Sequence, residues 1–244
     1  MSTTAHRLFA ALLAAAILFA GCQDPGDDTE EPGEMTEENV SAEVEEFEND
    51  LNDALQSAES DIEALDNRLS EAGEEAEAEF SEEMGEIRQQ RDSLRSQMQQ
   101  LEEASEEEAS ELRANMRETR RDLNRRLDRV ALEAAEEQDE FVRAANERMD
   151  RLDAQLEELK QDAEAAGDEV SQETQEEIQE LEQRRDALQE DLAAAENATE
   201  EEFAEMRSEL VDGITETRAE TAQALDNLET SIEPDREMRD TPSE

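Results

Sequence analysis

The sequence predicts an all-α protein: long antiparallel coiled-coil helices in a hairpin or Z-shaped rod, flanked by a disordered acidic tether and tail. Three observations predict it. From Ser41 to Ile232 there is no proline, and only Gly73, Gly85, Gly167 and Gly213 interrupt a run dominated by Ala, Glu, Leu, Gln and Arg, all good helix formers. Apolar residues recur three and four apart, as at Met149, Leu152, Leu156, Leu159, Ala163, Ala166 and Val170, one stripe along a helix. The chain also repeats itself. "IRQQRDSLRSQMQQLEEASEEEASELR" (87–113) lies without a gap on "LEQRRDALQEDLAAAENATEEEFAEMR" (181–207), 94 residues later, with eleven of 27 positions identical.

Charge narrows the partners. The chain has 74 acidic and 22 basic residues, formally −52, and Lys160 is its single lysine. Such a field repels nucleic acid and anionic membrane surfaces. Acid-rich, lysine-poor usage resembles that of halophile proteins. With 35% hydrophobic residues, many of them Ala, no thick globular core is expected.

The first element is residues 1–21, read as a secretory signal. Leu8 to Ala20 is apolar but too short to span a bilayer core of ~30 Å, which needs about 20 residues. It ends in Phe19-Ala20-Gly21-Cys22, which resembles the lipobox of bacterial lipoproteins. The resemblance implies that Cys22, the only cysteine, carries lipid (palmitate) and begins the mature chain. A lipid-anchored protein of the cell envelope is then expected, on the outer membrane and facing the periplasm. Residues 22–40 hold two prolines and two glycines without apolar period and read as the acidic tether.

Helices follow. Ser105 to Glu108 and Thr199 to Glu202 both fit the capping box S/T-x-x-E, at equivalent places of the repeat, so each starts a new helix. No breaker lies around Ala131 to Asn146. The expected helices are therefore 41–103, 105–197 and 199–232, and the boundary between coiled-coil repeat 1 (41–137) and repeat 2 (138–232) runs through a continuous helix. Folded back at both breaks, they form a two-stranded rod in which Arg125, Arg126 and Arg129 oppose Glu83, Glu82 and Glu79. A compact bundle with further turns at Gly73 and Gly167 is the alternative, since glycine often ends helices. Residues 233–244, with Pro234 and Pro242, form the disordered tail.

The stretches "IRQQRDSLRSQMQQLEEAS" and "LEQRRDALQEDLAAAENAT" also resemble a family of small bacterial helical proteins, sometimes described as stress-response proteins. That resemblance implies no catalytic residue.

Chemistry-bearing residues are scarce. Beyond the signal there is no His, no Tyr and no thiol other than Cys22. Cys/His catalysis and thiolate or imidazole metal sites are excluded there, and carboxylates on a solvated rod lack the desolvation that raises a catalytic pKa. No enzyme, catalytic residue, metal, cofactor or small-molecule substrate is expected. Arg113, Arg117 and Arg120 would face Arg95, Arg91 and Arg88 in the rod, with Arg121 beside them. They read either as a charge-compensated face or as an anion- or partner-recognition patch. Two functions follow as expectations. One is an envelope spacer or interaction scaffold, self-associating or binding an envelope protein. The other is a helical protein that protects against salt or desiccation, or buffers cations.

Overall fold

The computed structural model describes residues 37–101, 104–167 and 170–239. The fold is all-α. Seven helices are described: α1 Glu37–Ala72, α2 Glu74–Glu79, α3 Ser81–Leu101, α4 Glu106–Glu133, α5 Gln138–Ala166, α6 Gln172–Glu196 and α7 Glu200–Arg239. The signal and lipobox residues, most of the tether and the last five residues lie outside the described part. α1 begins inside the expected tether, and α7 continues past Ile232 into the expected tail.

Both capping signals work as read. The Glu108 carboxylate accepts hydrogen bonds from the Ser105 amide (3.0 Å) and hydroxyl (2.6 Å). Glu202 accepts from the Thr199 amide (2.9 Å) and hydroxyl (2.7 Å). These bonds favour the ionised form and hold both carboxyls below the usual range. The glycine alternative also holds. α1 ends on Gly73 with φ 108° and α5 on Gly167 with φ 61°, backbone conformations that side-chain-bearing residues rarely adopt. Ser171 then caps α6, its hydroxyl accepting from the Thr174 amide at 3.1 Å.

The expected continuous helix 105–197 is corrected twice, at Gly167 and at residues 134–137. The second break has no proline or glycine to cause it. Its cause is distant in sequence. Arg68 of α1 donates to the Ala131 carbonyl at 3.1 Å, and Arg207 of α7 donates to the Glu133 carbonyl at 2.5 Å. Two guanidiniums thus satisfy carbonyls that a helix end leaves unpaired, and they suit its negative pole.

The helices form two three-helix bundles rather than a two-stranded rod. In the first, Leu51, Leu55, Ile62, Leu65 and Leu69 of α1 share a core with Met84, Ile87 and Leu94 of α3 and Met116, Leu123 and Leu127 of α4. In the second, α5, α6 and α7 enclose Phe141, Leu152, Leu159, Leu181, Leu192, Leu210 and Ile214. Phe141 and Phe203 meet edge to face at 5.4 Å. A third helix accounts for charges that a hairpin could not. Arg88 pairs with Asp66 and Arg95 with Glu59, both on α1. The hairpin pairs of Arg125, Arg126 and Arg129 are corrected as well. Arg126 meets Glu86, one turn along from the expected Glu82, Arg125 turns to Asp122 on its own helix, and Arg129 reaches Asp212 on α7.

The bundles follow the 94-residue repeat. α1 and α5 end at Ala72 and Ala166, and α4 and α7 start at Glu106 and Glu200. Equivalent residues thus occupy equivalent helix ends. Among the described residues, no helix is long and apolar enough to cross a membrane.

Candidate inter-bundle site

Two apolar cores leave a polar layer between them. The buried polar residues described are Asp128 on α4, Arg148 on α5, and Thr215, Thr217, Arg218, Thr221 and Asp226 on α7. These are the helices through which the bundles meet. The Thr215 and Thr221 hydroxyls need no outside partner, because they donate to the carbonyls of Val211 and Thr217, each at 2.8 Å. The charged groups bridge the bundles instead.

Asp128, only 3% exposed, is paired with Arg218, and Arg148 Nε lies 3.4 Å from its other oxygen. Beside them Arg151 of α5 donates both terminal nitrogens to Asp61 of α1, at 2.8 and 3.0 Å, a fork that fits a carboxylate. Asp61, Asp128, Arg151 and Arg218 line a cavity of about 120 Å³ together with Ser57 and Asn124. Farther along α4, Arg120 (2.8 Å) and Arg121 both hold Asp226, and Arg129 holds Asp212 at 2.9 Å. The pairs run in opposite directions along α4 and α7, so the helices cross antiparallel. Halfway between the Asp128–Arg218 and Arg120–Asp226 pairs, Asn124 stands level with Ala222, and Arg126 with Glu220, its own counterpart 94 residues on. The crossing is an internal pseudo-two-fold.

Burial dominates the electrostatics. It pushes the Asp128 carboxyl above its usual range, against the pull of Arg218, Arg148 and Arg151. It also lowers Arg148, against the pull of Asp128. Arg151 moves up, chiefly through the hydrogen bonds it donates to Asp61. A buried pair in this position adds little net stability over an apolar one, yet losing either member is costly. Its effect is to select which surfaces can meet.

Around Asp128 the selection is polarised. The first bundle supplies the carboxylates Asp61 and Asp128, and the second supplies Arg148, Arg151 and Arg218. At the equivalent positions of the repeat stand Gln155 and Ala222, and Ala54, Ser57 and Asn124. Neither repeat carries both halves.

The arginine patch read from sequence is distributed by the fold. Arg88 and Arg95 turn to α1, Arg91 bonds its neighbour Asp92 (3.0 Å), and Arg120 and Arg121 hold Asp226. Arg117 lies over the Phe47 ring at 5.2 Å, a cation–π contact, and Arg113 is half-buried on α4. Cys22 lies outside the described residues. Sequence reasoning missed Asp61, Asp128, Arg148, Arg151 and Arg218. A signal existed for some of them: Arg218 follows Ile214 by four residues and Arg148 adjoins Met149, so both fall at or beside core spacing. Among the described residues no group of three or more His, Cys, Asp or Glu is placed to hold a metal ion.

These features define a class: an all-α, coiled-coil-like tandem of two bundles joined by buried ion pairs. Residues 35–231 match the family FAM81B, and the chain belongs to it. FAM81B is a eukaryotic family, which overturns the bacterial-lipoprotein reading of residues 1–22 and the envelope location drawn from it. The likeness to small bacterial helical proteins is superseded by the same finding. No curated protein and no solved structure matches the chain.

Proposed function

We propose that the protein is a non-catalytic helical scaffold that binds other proteins through its acidic outer faces. The observation that carries this reading is where its buried ionisable groups go. Asp128, Arg148, Arg218 and Asp226 are all engaged in holding one bundle to the other. The outer faces are left to acids, as on α2, where four glutamates surround no buried residue. A rigid frame with a strongly negative exterior suits partners with basic surfaces, met quickly through charge and held through shape.

Two separate apolar cores support this reading over the salt- or desiccation-protective one, which asks for a chain that folds only under stress. Circular dichroism and sedimentation at physiological ionic strength distinguish them. The scaffold reading expects a fully helical chain that sediments as compact, folded particles. A largely unfolded chain that turns helical only on drying would overturn it.

A further inference from the structure

The break between α4 and α5 is unusual in composition. Residues 134–137 read Ala-Ala-Glu-Glu, all helix formers, with no proline or glycine. Ala134 still has helical dihedrals (φ −76°, ψ −11°), and the chain turns extended by Glu137 (φ −82°, ψ 141°). What ends α4 is the Arg68 and Arg207 guanidiniums on its last carbonyls. Were the turn to straighten, the amides of the following residues would take those carbonyls, and α4 and α5 would become one helix from 106 to 166, about 90 Å long. The bent and straight forms thus satisfy the same carbonyls with different donors.

Straightening separates the bundles and uncovers the polar layer, which then needs a partner of matching charge. Asp61 and Asp128 need the arginines of a second bundle, and Asp226 needs Arg120 and Arg121 of a first. Two first bundles cannot satisfy each other: in the same crossing Asp128 would face Asn124, and Arg120 would face Leu132. A second copy of the whole chain supplies both halves.

We propose that the chain exchanges bundles with a second copy, its α4–α5 turn straightening so that the first bundle of each copy pairs with the second bundle of the other. The assembly is a closed dimer containing two inter-bundle sites, each made of the contacts seen within one chain. The proposal goes beyond the scaffold reading and requires no outside partner.

The experiment uses two full-length variants. Arg120→Asp/Arg121→Asp leaves Asp226 facing acids, and Asp226→Arg leaves Arg120 and Arg121 facing a third arginine, so each disfavours closure on itself. In an exchanged mixed dimer both sites regain opposite charges. Refolding the two together should give, by native mass spectrometry, a major species near twice 27.5 kDa with one chain of each kind. Adding Glu137→Pro to both should remove that species. Proline fits the bent dihedral at 137 but breaks a continuous helix. Wild-type chains with two isotope labels, refolded together at high concentration, should give mixed dimers in the same way. Absence of mixed dimers in both experiments overturns the proposal, as does a mixed dimer that survives Glu137→Pro.

Discussion

Asp128 is the residue on which the inter-bundle site turns. It holds Arg218, lies 3.4 Å from Arg148, and is only 3% exposed. Asp128→Asn keeps the shape and removes the charge, leaving two buried guanidiniums without their carboxylate. The expected loss is about 3 kcal/mol, the low end for breaking a buried pair. Urea unfolding would read it as a lower midpoint at unchanged slope. A loss below about 0.5 kcal/mol, the range of exposed pairs, would mean that solvent reaches the site. Arg95–Glu59, with both side chains near half exposed, is the internal control and should cost no more than that.

Helix by helix, glycines separate two roles that sequence alone writes with one letter. Gly85 lies inside α3, and a methyl group there would meet nothing within 4 Å. Gly85→Ala should therefore stabilise by about 0.5–1 kcal/mol through helix propensity. Gly73 has φ 108°, so Gly73→Ala should cost roughly 1–2 kcal/mol although the space is equally open. Thermal melts of the two variants should move in opposite directions. The same contrast shows why some elements were legible and others were not. Ser105 and Thr199 carry their stop and start signals within four residues, and Gly73 and Gly167 carry theirs in one. The end of α4 has no local signal, because its cap comes from Arg68 and Arg207, 63 and 74 residues away from the carbonyls they hold. The three-helix packing was hidden for a related reason. Two-body pairing left Arg88 and Arg95 facing arginines, and only α1 folded back against α3 supplies Asp66 and Glu59. The site suffered most: charged residues at core spacing look like interruptions until the other bundle brings their partners.

At the scale of the molecule, charge opposes what the cores hold together. Most of the chain's net −52 falls on helices packed side by side, and the exposed ion pairs are too few to offset it. At 10 mM salt the Debye length of ~30 Å lets this repulsion act across a bundle, and at 1 M it shrinks to ~3 Å. The melting temperature should rise by roughly 5–10 °C between those conditions, as 2–3 kcal/mol of repulsion is screened at about 2–4 °C per kcal/mol for a chain of this size. The buried pairs at Asp128 should be nearly indifferent to salt, since they are shielded from it already. Equal melting temperatures in both buffers would mean that the acidic faces do not feel one another.

The division of charge around Asp128 also means that one unit cannot stand in for the other. A lone bundle that docked against its own twin would have to carry an acid and its matching arginine on the same copy, because both sides of a symmetric contact are the same surface. Here Asp61 and Asp128 have no acidic counterpart: Gln155 and Ala222 stand at the equivalent positions of the second unit, and a serine, an alanine and an asparagine stand in the first unit where the second has the arginines. Such one-sidedness suits two units on a single polypeptide, where each always finds the other. Neither unit, paired with a copy of itself, would make this lock.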